Sequence, residues 1–177
     1  TGRPVTISGS RLYDSTTTAS SSILTITSGV SGESLSLTGS GVLGAASAGT
    51  QTITNNNTLA IADGSGGLAS NYTLSGATIN VTIIPRTLNV SLSREYDGTT
   101  SVSGVSLTPT FDSLQGGETL SLSGTGSVSN ANVGSSKAVS LGSIALAAGS
   151  GNPSNYTLNS ATMSITQRAI NLDGIRA

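Results

Sequence analysis

The stretch TINVTIIPRTLNVSLSREYDGTT, residues 78–100, holds two alternating runs, a proline between them and a crowded polar motif behind them. Ile79, Val81 and Ile83 alternate with Asn80 and Thr82, and Leu88, Val90 and Leu92 alternate with Asn89 and Ser91. Successive side chains of a strand point to opposite faces, so each run presents an apolar row to one side and Ser, Thr or Asn to the other. Pro85 cannot donate into a central ladder and is tolerated at a strand start or edge. The stretch therefore reads as strand, boundary, strand, with a linker of about zero to two residues.

Outward from it, the period of two recurs at Val5 and Ile7, Leu35 and Leu37, Leu120 and Leu122, and Met163 and Ile165. Gly- and Asn-rich clusters at 55–57, 64–67 and 149–155 separate the runs. No stretch combines helical period with caps. The fold class is all-β, with six or seven strands expected per module from turn signals every ~8–12 residues. A small, mainly antiparallel sandwich-like or β-grasp-like unit is the leading architecture. A parallel β-helix is the alternative, because Gly, Ser, Thr and Asn suit it too. Against it, a β-helix repeats at every coil.

The repeat here is much longer. SRLYDSTTT at 10–18 returns as SREYDGTTS at 93–101, GESLSLTGSG at 32–41 as GETLSLSGTG at 117–126, and SNYTLSGATINVT at 70–82 as SNYTLNSATMSIT at 154–166. Order and spacing are kept to within one or two residues, which makes the insertions loop-sized. Arg3, Arg86 and Arg168 each open an alternating run. The chain thus reads as a first module over 1–85, a second over 86–167, and the first strand of a third over 168–177, an excerpt of a longer tandem array. Junctions fall at Pro85, Arg86 and Arg168. Near-zero linkers favour a stiff, elongated rod.

Composition narrows the chemistry. The 177 residues carry a net charge of -1, with 8% charged and 3% aromatic side chains and neither Cys nor His. That removes disulfides, thiolate and imidazole ligands, and Cys or His nucleophiles. No basic block offers a footprint for nucleic acid, and no apolar run reaches the ~18 residues of a membrane span. Abundant Ser, Thr, Gly and Asn without Cys suits a bacterial exported protein.

The crowded motif recurs once per module, as a folding lock should. Tyr13 and Tyr96 are expected to cap a thin core, against a reading as ligand-stacking rings. Asp14 and Asp97 are expected to form turns, their carboxylates accepting nearby backbone N–H groups, against a reading as metal ligands. Arg11 and Arg94 are expected to pair with an acid such as Glu33 or Glu118, or to lie on the tyrosine faces. Tyr72 and Tyr156 are expected to pack inward behind an Asn turn. No calcium-loop spacing occurs, so no metal or other cofactor is expected. Lys137 is the only lysine, which excludes an isopeptide bond in every module. Five Asn-x-Ser/Thr sequons begin at Asn56, Asn71, Asn80, Asn89 and Asn155.

Arg-x-Tyr-Asp-Gly-Thr-Thr at 94–100, then Gly-Glu-x-Leu-Ser-Leu at 117–122 and Asn-Tyr-Thr-Leu at 155–158, resembles the YDG repeats of large bacterial haemagglutinin-like adhesins, many exported by two-partner secretion. Tyr96, Asp97, Gly98, Thr99 and Thr100 carry the motif in full. The first module departs from it with Ser15 in the glycine position, which argues against a strict need for positive φ there. The resemblance implies a non-enzymatic, monomeric stalk or spacer segment, secreted to the bacterial cell surface or biofilm. Its partners would be neighbouring repeats, with host or matrix glycan or protein held by other regions. The alternative is a module that binds glycan or matrix directly.

Overall fold

The computed structural model describes residues 2–170. The chain divides into two compact units between Arg86 and Thr87. In the first unit the strands are β1 (Arg3–Leu12), β2 (Thr18–Ser20), β3 (Leu24–Thr27), β4 (Leu35–Thr38), β5 (Ser40–Leu43), β6 (Gly49–Asn55), β7 (Ala60–Asp63) and β8 (Tyr72–Ile84). In the second they are β9 (Arg86–Glu95), β10 (Ser101–Ser103), β11 (Thr110–Phe111), β12 (Leu120–Ser123), β13 (Thr125–Val128), β14 (Gly134–Ser140), β15 (Ala145–Ala148) and β16 (Tyr156–Thr166). Each module thus has eight strands rather than six or seven. The surplus lies in pieces of two to four residues that are too short to show a period. Three 3₁₀ turns of three residues complete the described structure, two of them leading into β8 and β16.

Both units have one architecture. A six-stranded sheet runs β2-β5-β6-β8-β1-β3 in the first unit and β10-β13-β14-β16-β9-β11 in the second. A two-stranded ribbon, β4–β7 or β12–β15, forms a second layer. The first and last long strands of each module lie side by side at the centre of the sheet. β1 and β8 are parallel, from Arg3 opposite Tyr72 to Leu12 opposite Ile84. Along β9 and β16 the side-chain bonds Ser160 to Asn89, Thr162 to Ser91 and Thr166 to Arg94 advance in the same direction, so that pair is parallel too. The other strand pairs of the sheets and ribbons among the described residues are antiparallel. The β-helix alternative is therefore overturned: the sheets close within each unit, and parallel neighbours are confined to the central pair.

Alternation places the core where the period requires. Val5, Ile7, Tyr72 and Ile79 are buried in the first unit, and Leu35, Leu37 and Ile61 of the ribbon pack onto them. In the second, Val90, Leu92, Met163 and Ile165 of the central pair meet Leu122 of the ribbon and Val128 and Val139 of the flank. Each fully buried aliphatic chain contributes about 1.5–3 kcal/mol. These cores are thin, so local locks carry more of the burden of specifying the loops.

A bulge interrupts the central pair near its start, where the register shifts between Pro4 and Thr6. Gly76 turns through φ 73 there, 3.8 Å from Pro4 if given a Cβ. Proline near a strand start and glycine in a bulge are the residues that such a step admits. Pro85 alone separates β8 from β9. The strand expected for a third repeat falls largely on residues 171–177, outside the described residues.

Candidate functional site

The motif forms the corner that follows the first strand of each module. Asp97 Oδ1 accepts the Thr99 N–H and the Thr99 hydroxyl, both at 2.9 Å, and Asp14 Oδ1 makes the same two bonds with Thr16 at the same distances. The residue between must turn back on itself. Gly98 has φ 78 and Ser15 has φ 64. The left-handed conformation is therefore present in both copies, and the serine adopts it as well as the glycine. The inference drawn from Ser15 against positive φ is corrected: the ring of bonds from Asp to Thr fixes the conformation, and the residue inside it has to comply.

Arginine closes each corner. Arg94 donates from Nη1 to the Ser101 carbonyl at 2.5 Å and from Nη2 to the Thr99 carbonyl at 2.5 Å, and its guanidinium lies 3.2 Å from Asp97 Oδ2. Arg11 donates to the Thr16 carbonyl at 2.5 Å and pairs with Asp14. Both guanidinium chains are largely buried while the aspartates remain part-exposed. The pairing expected with Glu33 or Glu118 is thus replaced by one three residues away, because the turn brings that carboxylate back under the arginine fork. Burial alone would raise the Asp14 carboxyl; hydrogen bonds from Thr16 and the Arg11 charge outweigh it and hold it below the usual carboxylate value. Asp97 is lowered chiefly by the Thr99 N–H and hydroxyl, with the Arg94 charge adding to them.

The two tyrosines of the corner differ. Tyr13 is 3% exposed and Tyr96 is 41% exposed. Tyr96 lies one residue beyond β9, and its ring faces a cavity of about 720 Å³ lined by Val133 and residues 167–170, Arg168 among them, rather than the sheet core. Its backbone is nonetheless tied in, donating to the Thr166 carbonyl at 2.9 Å. Tyr13 donates likewise to the Ile84 carbonyl at 2.9 Å, and Arg86 Nε donates to the Tyr13 carbonyl at 2.9 Å. Each corner is therefore stitched to the end of the last strand of its own module.

Glu33 and Glu118 serve a second lock. The Tyr72 hydroxyl donates to Glu33 in the first unit, and the Tyr156 hydroxyl donates to Glu118 at 2.6 Å in the second. The Tyr156 oxygen also accepts the Gln115 N–H at 3.1 Å. Both rings are buried. The clip joins the loop before the ribbon to the start of the last strand. The hydrogen bond to Glu33, aided by burial, raises the Tyr72 hydroxyl above its ordinary value.

Features outside the repeat were less legible. Asn89 donates its backbone N–H to Asp112 Oδ1 at 3.1 Å and its Nδ2 to Asp112 Oδ2 at 2.7 Å, and its side-chain oxygen accepts from Asn159 and Ser160. Asn89, Asp112 and Ser160 edge a groove of about 330 Å³ with Phe111. The Asn89 contacts lower Asp112. The cluster has no copy in the first module, so comparing the modules passes over it. Lys137 donates to the Asn130 side chain at 2.6 Å and to the Asn132 carbonyl at 2.8 Å, fastening the loop before β14. Of the sequon residues, Asn155 is buried and Asn56 stands exposed in a turn. Among the described residues no three acidic side chains gather as metal ligands would.

A family model described as YDG domain matches residues 1–80 and again residues 80–163. Comparison with curated proteins gave no match, and neither did comparison with solved structures. Two consecutive matches span nearly all of the chain, and both contain the Arg–Asp–Thr corner and the Tyr–Glu clip. On that ground the chain belongs to the YDG domain family, as two tandem copies.

Proposed function

We propose that the chain is a stalk or spacer segment of a secreted bacterial surface or biofilm adhesin, holding a distal binding region away from the cell. The observation that carries this reading is the junction: two units of one fold follow each other with Pro85 alone between the last strand of one and the first strand of the next. Proline fixes its own φ and restricts Ile84 before it, which narrows the conformations open to the link. The side chains of the recurring motif are spent on intramodule bonds, which suits a part made to be repeated rather than a site made to react. Neighbouring repeats are its natural partners, and it acts as a monomer without a cofactor.

The test is a length series. Chains of two, four and eight modules, measured by solution scattering, should grow in maximum dimension in proportion to module number. Growth with roughly the square root of that number is the behaviour of a flexible chain and would contradict the proposal.

One groove favours a second reading, direct glycan binding. Phe111, Asp112 and Ser160 offer a ring edge, a carboxylate and a hydroxyl on the second module. Binding of the two-module chain to a glycan array, abolished by Phe111→Ala, would support that reading. A blank array would leave the spacer reading in place.

A further inference from the structure

We infer that each module is a mechanical clamp that is loaded in shear when the chain is pulled from its ends. The use of such a clamp rests on the stalk reading, but its geometry lies within each unit. In the first unit the chain enters β1 at Arg3 and leaves β8 at Ile84. Those two strands are parallel, and nine register pairs join them, from Arg3 opposite Tyr72 to Leu12 opposite Ile84. Entry and exit therefore lie at opposite ends of one ladder. Tension drags β1 one way along its length and β8 the other. The ladder bonds are then loaded together, instead of opening one at a time from an end. In an antiparallel pair of first and last strands, entry and exit would share one end and the same pull would peel the ladder open.

Neither strand can escape sideways. β3 flanks β1 and β6 flanks β8, so both are interior strands. Side chains interlock across the same pair, with Val5, Ile7 and Ile79 in one core. The recurring corner sits at the exit end. The Tyr13 N–H bonds the Ile84 carbonyl, and Arg86 holds the Tyr13 carbonyl just past the point where the chain leaves. The Arg11–Asp14–Thr16 ring stiffens that turn. The second unit repeats the arrangement: Tyr96 N–H bonds the Thr166 carbonyl, and the Thr166 hydroxyl bonds the Arg94 carbonyl at 3.3 Å. This placement gives the motif a role that a solvent-facing turn would lack. It anchors the end of the first strand against the last residue to bear load.

The test is single-molecule force spectroscopy in two geometries on the same chain. Pulled from its two ends, the chain should give two rupture events at high force, each releasing about 280 Å of contour before the folded length is subtracted. The chain has no cysteine of its own, so Ser70→Cys supplies a unique handle. Ser70 is exposed in the 3₁₀ turn before β8, at the same end of the ladder as Arg3. Pulling between the N-terminus and residue 70 should peel the first module at a force several-fold lower. Equal forces in the two geometries, or a lower force from the ends, would overturn the clamp. The outcome is separable from the length series: weak modules in a straight array would sink the clamp alone, and tough modules in a freely jointed array would sink the spacer alone.

Discussion

Ser15 and Gly98 occupy one structural position with two different side chains, and the difference is measurable. A left-handed backbone costs a non-glycine residue about 1–2 kcal/mol. The Cβ direction at Gly98 is open, with the Tyr96 hydroxyl 4.0 Å away, so the cost is conformational rather than steric. Ser15→Gly should stabilise the first module by about 0.5–1 kcal/mol, after the greater freedom of glycine in the unfolded chain is deducted. Gly98→Ala should destabilise the second by about 1–2 kcal/mol. Urea melts of the separate modules measure both, and changes of the same sign would show that the corner does not impose the turn.

Acid and alkali probe the two locks separately. The carboxyls of Asp14 and Asp97 are lowered in the folded state, so the stability they contribute is present above the unfolded value and is lost as pH falls through the folded one. Melting temperature should therefore drop below about pH 4, and less so in the Asp14→Asn, Asp97→Asn double variant. Tyr72 is raised, so its contribution is full below the unfolded value and is lost as pH climbs beyond about 10. In the second module Tyr156→Phe removes the hydroxyl that bonds the Glu118 carboxylate and accepts the Gln115 N–H, and should cost about 1.5–3 kcal/mol. An unchanged melt of Tyr156→Phe would reduce the clip to a bystander. Tyr96→Ala should cost less than the ~3–5 kcal/mol of a fully buried ring, because that ring is 41% exposed.

Among the elements, the long strands were legible and the short ones were not. Alternation at Ile79, Val81 and Ile83, and at Leu88, Val90 and Leu92, marked the faces that the structure buries. A period of two says which face is inside but nothing of which strand lies alongside. The parallel pairing of β1 with β8 joins residues about seventy positions apart, and no local signal encodes it. The ribbon pairing of Leu35 with Asp63 and of Leu37 with Ile61 was hidden for the same reason. The corner residues were found because repetition exposed them, and the backbone bonds of Asp14 and Asp97 were legible with them, yet the arginines' partners were misassigned. Glu33 was the obvious acid for Arg11 on charge alone, whereas the turn returns Asp14 to it and leaves Glu33 to Tyr72. Asp112, present once, gave repetition nothing to find.

At the scale of the whole molecule the account turns on the link. The spacer proposal requires adjacent modules to hold a fixed relation across Pro85, the one residue between β8 and β9. Spin labels test this directly. Ser36 and Ser121 are exposed, equivalent positions on the ribbons of the two modules, and the chain contains no other site for thiol labelling once both are changed to Cys. Pulsed dipolar spectroscopy should give one narrow distance distribution, broadened by a Gly-Ser insertion after Pro85 while both modules still melt as before. A native distribution already as broad as that of the insertion variant would contradict the spacer account.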